Sequence, residues 1–86
     1  MIQSGQIAVG LTAQMIDGTS NTPFALTLYN MTNQDNIYLG GADVTITTGL
    51  EMHPHTYLTL TLPPGAQLYA VSAIAGETLG WLKVAL

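Results

Sequence analysis

The chain has 86 residues, no cysteine, no arginine, and one lysine against five acidic side chains, for a formal net charge of -4. That length suits a single domain whose small core hides a modest share of its surface, and the missing thiols remove disulfides and thiolate metal sites. One lysine cannot displace the counterions that drive binding to nucleic acid, nor hold an anionic bilayer, so neither partner is expected.

The opening residues, MIQSGQIAVG, combine no basic segment with an apolar run, so no secretory signal is expected. No stretch approaches the roughly 20 apolar residues of a helical membrane span, and synthesis in the cytoplasm is expected. From Ile7 onward apolar residues alternate. Ile7, Val9, Leu11, Ala13 and Met15 share one parity, and Ala8, Gly10, Thr12 and Gln14 the other, which predicts a first strand over 7–15.

Residues 17–22, DGTSNT, form a turn cluster in which Asp-Gly reaches positive φ easily. Pro23 opens a second strand, where its missing amide interrupts no ladder. Phe24, Leu26 and Leu28 fall on one face of it and Thr27, Tyr29 and Met31 on the other. Residues 32–36 make a second polar turn, followed by a short strand over 37–39. Gly40-Gly41 reads as a tight return into a further strand over 43–48, carrying Val44, Ile46 and Thr48. Residues 50–55, with Pro54 between two histidines, read as an irregular crossing.

TYLTLTL at 56–62 is the clearest strand, with Leu58, Leu60 and Leu62 inward and Tyr57, Thr59 and Thr61 outward. Pro63-Pro64-Gly65 stops it. Another strand is expected over 67–74, and a turn at Gly76-Glu77. The last segment, 78–86, sets Leu79, Trp81 and Ala85 on one side and Leu82, Val84 and Leu86 on the other. Two apolar sides imply a central strand, or one covered by another subunit. About seven short strands between turn clusters predict one all-β domain over residues 1–86, a small β-sandwich or β-barrel-like body. A helix is disfavoured because Gly, Pro and Thr recur in every long window.

Only 7% of the residues are charged, against about 25–35% on a surface designed to stay soluble alone. Thr, Asn, Gln and Gly stand in their place, and a chain of this kind is expected to be covered by neighbours as an oligomer.

Candidate chemistry is sparse. Glu51, His53 and His55 are spaced two apart, so an extended backbone would turn them the same way. Solvent-facing loop histidines are the plainer reading, and no metal ligand or cofactor is assigned. Ser4, Ser20 and Ser72 lie in no nucleophile-elbow sequence. The carboxylates are scattered over turns, with no local pair for glycoside hydrolysis. Gly40-Gly41 lacks the Lys-Ser/Thr of a phosphate loop. No catalytic residue follows, and the chain is expected not to be an enzyme. Tyr29, Tyr38, Tyr57, Tyr69 and Trp81 suit either a sugar platform or interface packing, since such side chains join apolar area to a polar tip.

The run NIYLGGADVTITTGLEMHPHTYLTLTL at 36–62, followed by PPGAQLYAVSAIAG, resembles a pattern of small bacteriophage virion proteins. Tyr38, Leu39, Gly40, Gly41, Val44, Thr45, Thr48 and Gly49 carry the first part, and Gly65, Leu68, Tyr69 and Ala70 the second. The resemblance covers over half the chain. It implies a virion β-domain, foremost a capsid decoration (cement) protein that binds the major capsid protein lattice as an oligomer, with a trimer favoured. It implies a place on the outer surface of the virion. A carbohydrate-binding or structural module of a tail or baseplate is the alternative. The segment Met52-His53-Pro54-His55 departs from the pattern's Pro-Gly or similar turn. For assembly, an end segment such as 1–8 is expected to add as a strand to a neighbour's edge.

Overall fold

The computed structural model describes residues 2–17, 22–32 and 35–86. These residues form eight strands and no helix: β1 Ile2–Val9, β2 Gln14–Asp17, β3 Phe24–Asn30, β4 Ile37–Gly40, β5 Leu50–Met52, β6 Tyr57–Leu62, β7 Leu68–Ser72 and β8 Glu77–Ala85. They build two antiparallel sheets, in the orders β1-β8-β3-β6 (sheet A) and β2-β7-β4-β5 (sheet B). One core joins the two. Val9, Phe24, Leu26, Leu28 and Leu79 from sheet A meet Ile37, Leu39, Met52 and Ala70 from sheet B. The fold is thus all-β and sandwich-like, with one strand more among the described residues than the seven expected.

The period of two in the sequence explains each inner face. In β3, Phe24, Leu26, Leu28 and Asn30 are buried and the residues between them half-exposed, as alternation across a pleated strand requires. The last strand, β8, is central, paired with β1 on one side and β3 on the other. Of its two apolar sides, the one with Leu79 faces the core and the one with Leu82, 42% exposed, lies on the outer face of sheet A. Pro63-Pro64-Gly65 ends β6 in a turn with Ala66 N–H bonded to the Pro63 carbonyl at 3.2 Å. Gly65 and Gly76, at φ 78° and 83°, take turn conformations that other residues resist.

Several expectations are corrected. The single strand over 7–15 is two strands in different sheets. After Val9 the chain leaves sheet A, the Gly10 carbonyl accepts a bond from Ser72 N–H at 2.9 Å, and the chain re-forms as β2. Leu11, which shares the parity of Ile7 and Val9, is 66% exposed. Residues 43–48 form turns rather than a strand. Thr45 organises them: its carbonyl accepts from Thr48 N–H at 3.2 Å and Gly49 N–H at 2.9 Å, and its own amide donates to Thr48 Oγ1 at 3.0 Å. Threonine hydroxyls offer the backbone this local alternative to a ladder.

Val44 is the buried residue of that loop, lying over the outer face of sheet B. A Cβ at Gly40 would sit 2.8 Å from its Cγ2, so Gly40 permits a close approach, while the tight turn after it, closed by Val44 N–H to the Gly41 carbonyl at 3.0 Å, leads into this loop rather than a strand. Part of the expected crossing at 50–55 is the strand β5, paired with β4. Finally, Leu58, Leu60 and Leu62 face the core side but are only half-buried, because β6 is an edge strand. The centre of the turn predicted at 17–22, and positions 33–34 of that at 32–36, lie outside the described residues.

Candidate interaction surface

The registers of sheet A set its outer face as three rows across four strands: Gln6–Gly80–Tyr29–Tyr57, Ser4–Leu82–Thr27–Thr59, and Ile2–Val84–Ala25–Thr61. None of these positions carries a charged side chain. Thr27 and Thr59 join their hydroxyls at 3.1 Å. Tyr29 and Tyr57 stack with ring centroids 4.4 Å apart and planes at 29°, while Tyr57 remains 73% exposed. Because Gly80 has no side chain, the centre of the face sinks into a shallow depression of about 390 Å³ lined by Ser4, Gln6, Thr27, Tyr29, Tyr57 and Leu82. The Met31 sulfur lies beside it, 3.2 Å from where a Gly80 Cβ would stand.

One end of this face is fixed by a residue that the sequence reading passed over. Asn30 is fully buried, and its side chain makes a complete set of bonds. Nδ2 donates to the carbonyls of Met52 at 2.9 Å and Asp35 at 3.0 Å, and Oδ1 accepts from Thr32 N–H at 3.0 Å. The Thr32 hydroxyl lies 2.8 Å from Oδ1 and 2.6 Å from the Asp35 carbonyl, so its one hydrogen serves either acceptor. The Asn30 backbone completes the arrangement, donating to Thr56 O at 3.2 Å and accepting from His55 N–H at 2.9 Å. The crossing at 53–56 is thereby pinned against the end of β3. A signal existed in the sequence: Asn30 continues the core parity of Phe24, Leu26 and Leu28, and a polar residue there must find partners inside the protein.

The crossing brings His55 to the tyrosines. His55 takes φ 57°, uncommon for a side-chain-bearing residue, and its Nδ1 lies 2.9 Å from Tyr29 Oη. His53 turns elsewhere, with Nε2 3.1 Å from Glu51 Oε1. Glu51 and His53 thus keep the direction that an extended backbone would give all three, while the turn at 54–55 takes His55 away from them. Among the described residues no group of three His, Cys, Asp or Glu side chains is placed to hold a metal ion.

The remaining candidates disperse. Ser4 lies on the outer face of sheet A, and the Ser72 hydroxyl is bonded to the Ile74 carbonyl; Ser20 lies outside the described residues. Tyr38 and Tyr69 are on the outer face of sheet B, where Tyr38 Oη donates to Glu51 Oε2 at 3.4 Å. Trp81 faces the core, its ring only 3.0 Å from where a Cβ on Gly5 would lie. The five aromatics thus form no common platform, and Tyr29 with Tyr57 is the pair brought together on this face. Lys83 also projects to the core side, with Nζ 4.7 Å from the centre of the Phe24 ring. Beyond the edge of the outer face, burial raises the Glu77 carboxyl above its ordinary pKa, and the Asp35 carboxylate and a hydrogen bond with it raise it further. The outer face of sheet A is uncharged and rich in hydroxyl groups, a chemistry suited to contact with a polar protein surface.

No protein-family model matches the chain, and no curated protein matches it. A solved structure does resemble it. A chain from Bacillus endospore appendages, described as disulfide-linked pili, aligns with a TM-score of 0.65 over 100% of this chain and 86% of its own length, at 12% sequence identity. The likeness is one of fold.

Proposed function

We propose that this chain is a structural subunit that works by being packed among protein neighbours, as a decoration (cement) protein of a phage head. In this reading it binds the major capsid protein lattice on the outer surface of the virion, as a homo-oligomer with a trimer favoured, and carries out no catalysis. The observation that carries the reading is the outer face of sheet A, three rows deep without one charged side chain. A surface meant to remain in water gains solubility from charge, whereas a surface meant to be covered would lose free energy by desolvating it. Several weak contacts held in one oligomer raise the effective concentration of each further contact, which suits docking on a repeating lattice.

The fold likeness to a pilus chain supports the broader class, a β-sandwich that serves in a repeated protein assembly. This chain has no cysteine, so in this reading no disulfide joins its copies. A carbohydrate-binding module of a tail or baseplate is the second reading, favoured by the stacked Tyr29–Tyr57 pair beside the depression over Gly80.

The test is add-back to purified heads that lack the protein. Wild-type protein is expected to bind and to raise the temperature at which the heads release their DNA. Leu82→Lys, which places a charge at the centre of the outer face, is expected to fold and not to bind. Heads that neither bind the wild-type protein nor change in stability would refute the decoration reading. Saturable binding to a glycan array, lost in Tyr57→Ala, would establish the second.

A further inference from the structure

The two sheets end differently. Sheet B has guarded edges: β2 is four residues long with a register break between Met15 and Asp17, and β5 has three residues, the middle one Glu51. Short strands, bulges and charges are the usual devices that prevent an edge from pairing with another chain. Sheet A has none of them. Its edges are β1, eight residues paired with β8 in unbroken register, and β6, six residues paired with β3 in unbroken register. Neither strand contains a charged residue or a proline. Among the described residues no strand covers the far side of either, and every second residue there turns its N–H and C=O away from the sheet, about four on β1 and three on β6.

Two further observations show that β6 is unfinished. Leu58, Leu60 and Leu62 lie on its core side yet are only half-buried, since nothing extends the sheet beyond them. On its other side Tyr57, Thr59 and Thr61 end the uncharged rows of the outer face in mid-pattern, while the rows begin at β1 with Gln6, Ser4 and Ile2. Ile2 is 68% exposed.

We infer that sheet A continues from one copy of the chain into the next, with β6 of one copy pairing with β1 of another. Every neighbour in the order β1-β8-β3-β6 is antiparallel, so β1 and β3 run one way and β8 and β6 the other. Placing β1 of a second copy beside β6 therefore preserves the alternation without reversing that copy. One repeated contact satisfies both edges of every subunit. A two-fold contact of β1 with β1 would leave β6 open. The head-to-tail contact is heterologous and builds a ring or an open row according to the twist at each junction. It covers Leu58, Leu60 and Leu62 with the β1 of the neighbour and joins the uncharged rows of successive copies into one longer face. The pairing is independent of which larger particle, if any, receives that face.

The experiment is sedimentation velocity over a range of protein concentrations, with charge pairs placed on the two edges. Wild-type protein is expected to form species larger than a dimer, either a closed ring of fixed size or a row that grows with concentration. Thr59→Lys with Thr61→Lys, and separately Ser4→Lys with Gln6→Lys, put charge beside one edge and are expected to weaken association at least tenfold. Combining Thr59→Lys and Thr61→Lys with Ser4→Glu and Gln6→Glu in one chain places opposite charges across the β6–β1 contact and is expected to restore it. Leu82→Lys, away from both edges, keeps association while it removes head binding, so failure of one proposal is distinct from failure of the other. Amide hydrogen exchange on wild-type protein supplies a reading that needs no variant: protection within 2–9 and 57–62 is expected in the assembled species. A chain that stays monomeric, an assembly that stops at a dimer, or edge amides left unprotected in the assembled species would overturn the inference.

Discussion

Replacing Asn30 by alanine tests whether the end of the uncharged face depends on one buried amide. The side chain is fully buried and satisfies two carbonyls and an amide hydrogen in the interior. In the alanine variant the Asp35 carbonyl keeps a partner, because the Thr32 hydroxyl lies 2.6 Å from it. The Met52 carbonyl and the Thr32 amide each lose the bond that Asn30 supplied. Breaking a buried bond of this kind costs about 1–3 kcal/mol, so two of them cost roughly 2–6 kcal/mol, with about 4 kcal/mol as a central value. A domain of this length holds only about 4–13 kcal/mol of stability, so the loss is a large share of the total. For a domain of this size 1 kcal/mol shifts Tm by about 4–8 °C, which predicts a fall of roughly 15–30 °C. Circular dichroism melts and urea titrations measure it, with Thr27→Ala as the control, since that hydroxyl pair is exposed and its loss costs less than about 1 kcal/mol. An Asn30→Ala variant melting within about 3 °C of wild type would refute the reasoning, because the loss of two buried bonds on that scale cannot be so cheap.

Other outcomes follow from the same structure. Leu26→Ala removes a fully buried side chain and is expected to cost about 3–5 kcal/mol, whereas Leu60→Ala, on the half-buried edge strand, is expected to cost about 1–2 kcal/mol; denaturant melts of the pair check this ranking. Gly49→Ala would place a Cβ 2.7 Å from Tyr38 Cβ and 2.8 Å from Val44 Cγ2, costing about 1–3 kcal/mol by overpacking. Adding Val44→Ala recovers only part of that, since the Tyr38 contact remains, and a double-mutant cycle measures the share. Glu77 has its pKa raised in the folded state by burial and by Asp35, so the fold holds this proton more tightly than the unfolded chain does. Its contribution to stability is therefore present below the ordinary carboxylate value of 4.5 and lost as pH rises through the raised value. Tm is expected to fall over that window in wild type and to fall less in Glu77→Gln.

Much of the fold was legible because alternation is a local property. The core parity of Phe24, Leu26 and Leu28, the inward leucines of β6 and the two-sided character of β8 all follow from a period of two between turn residues. The stops at Pro63-Pro64-Gly65 and Gly76 are equally local, arising from a missing donor or a positive φ. The candidate site was less legible. Composition announced an uncharged surface, but only the registers showed that its hydroxyl and tyrosine groups gather on one face of sheet A while Trp81 and Lys83 turn inward. The spacing of Glu51 and His53 does place them together, but the turn at 54–55 carries His55 to Tyr29 instead.

Sequence by itself determined that this is an all-β chain without cysteine, almost without positive charge, and with strands whose faces can be named residue by residue. Tertiary structure decided which strands are neighbours. It split 7–15 between two sheets, folded 43–48 into turns around Thr45, gave Asn30 its partners, and left β1 and β6 as the open edges of sheet A. A strand's pleat depends on the residues beside it in the chain, whereas its sheet, its edge and its partners depend on residues far away, and no periodicity within one segment records them.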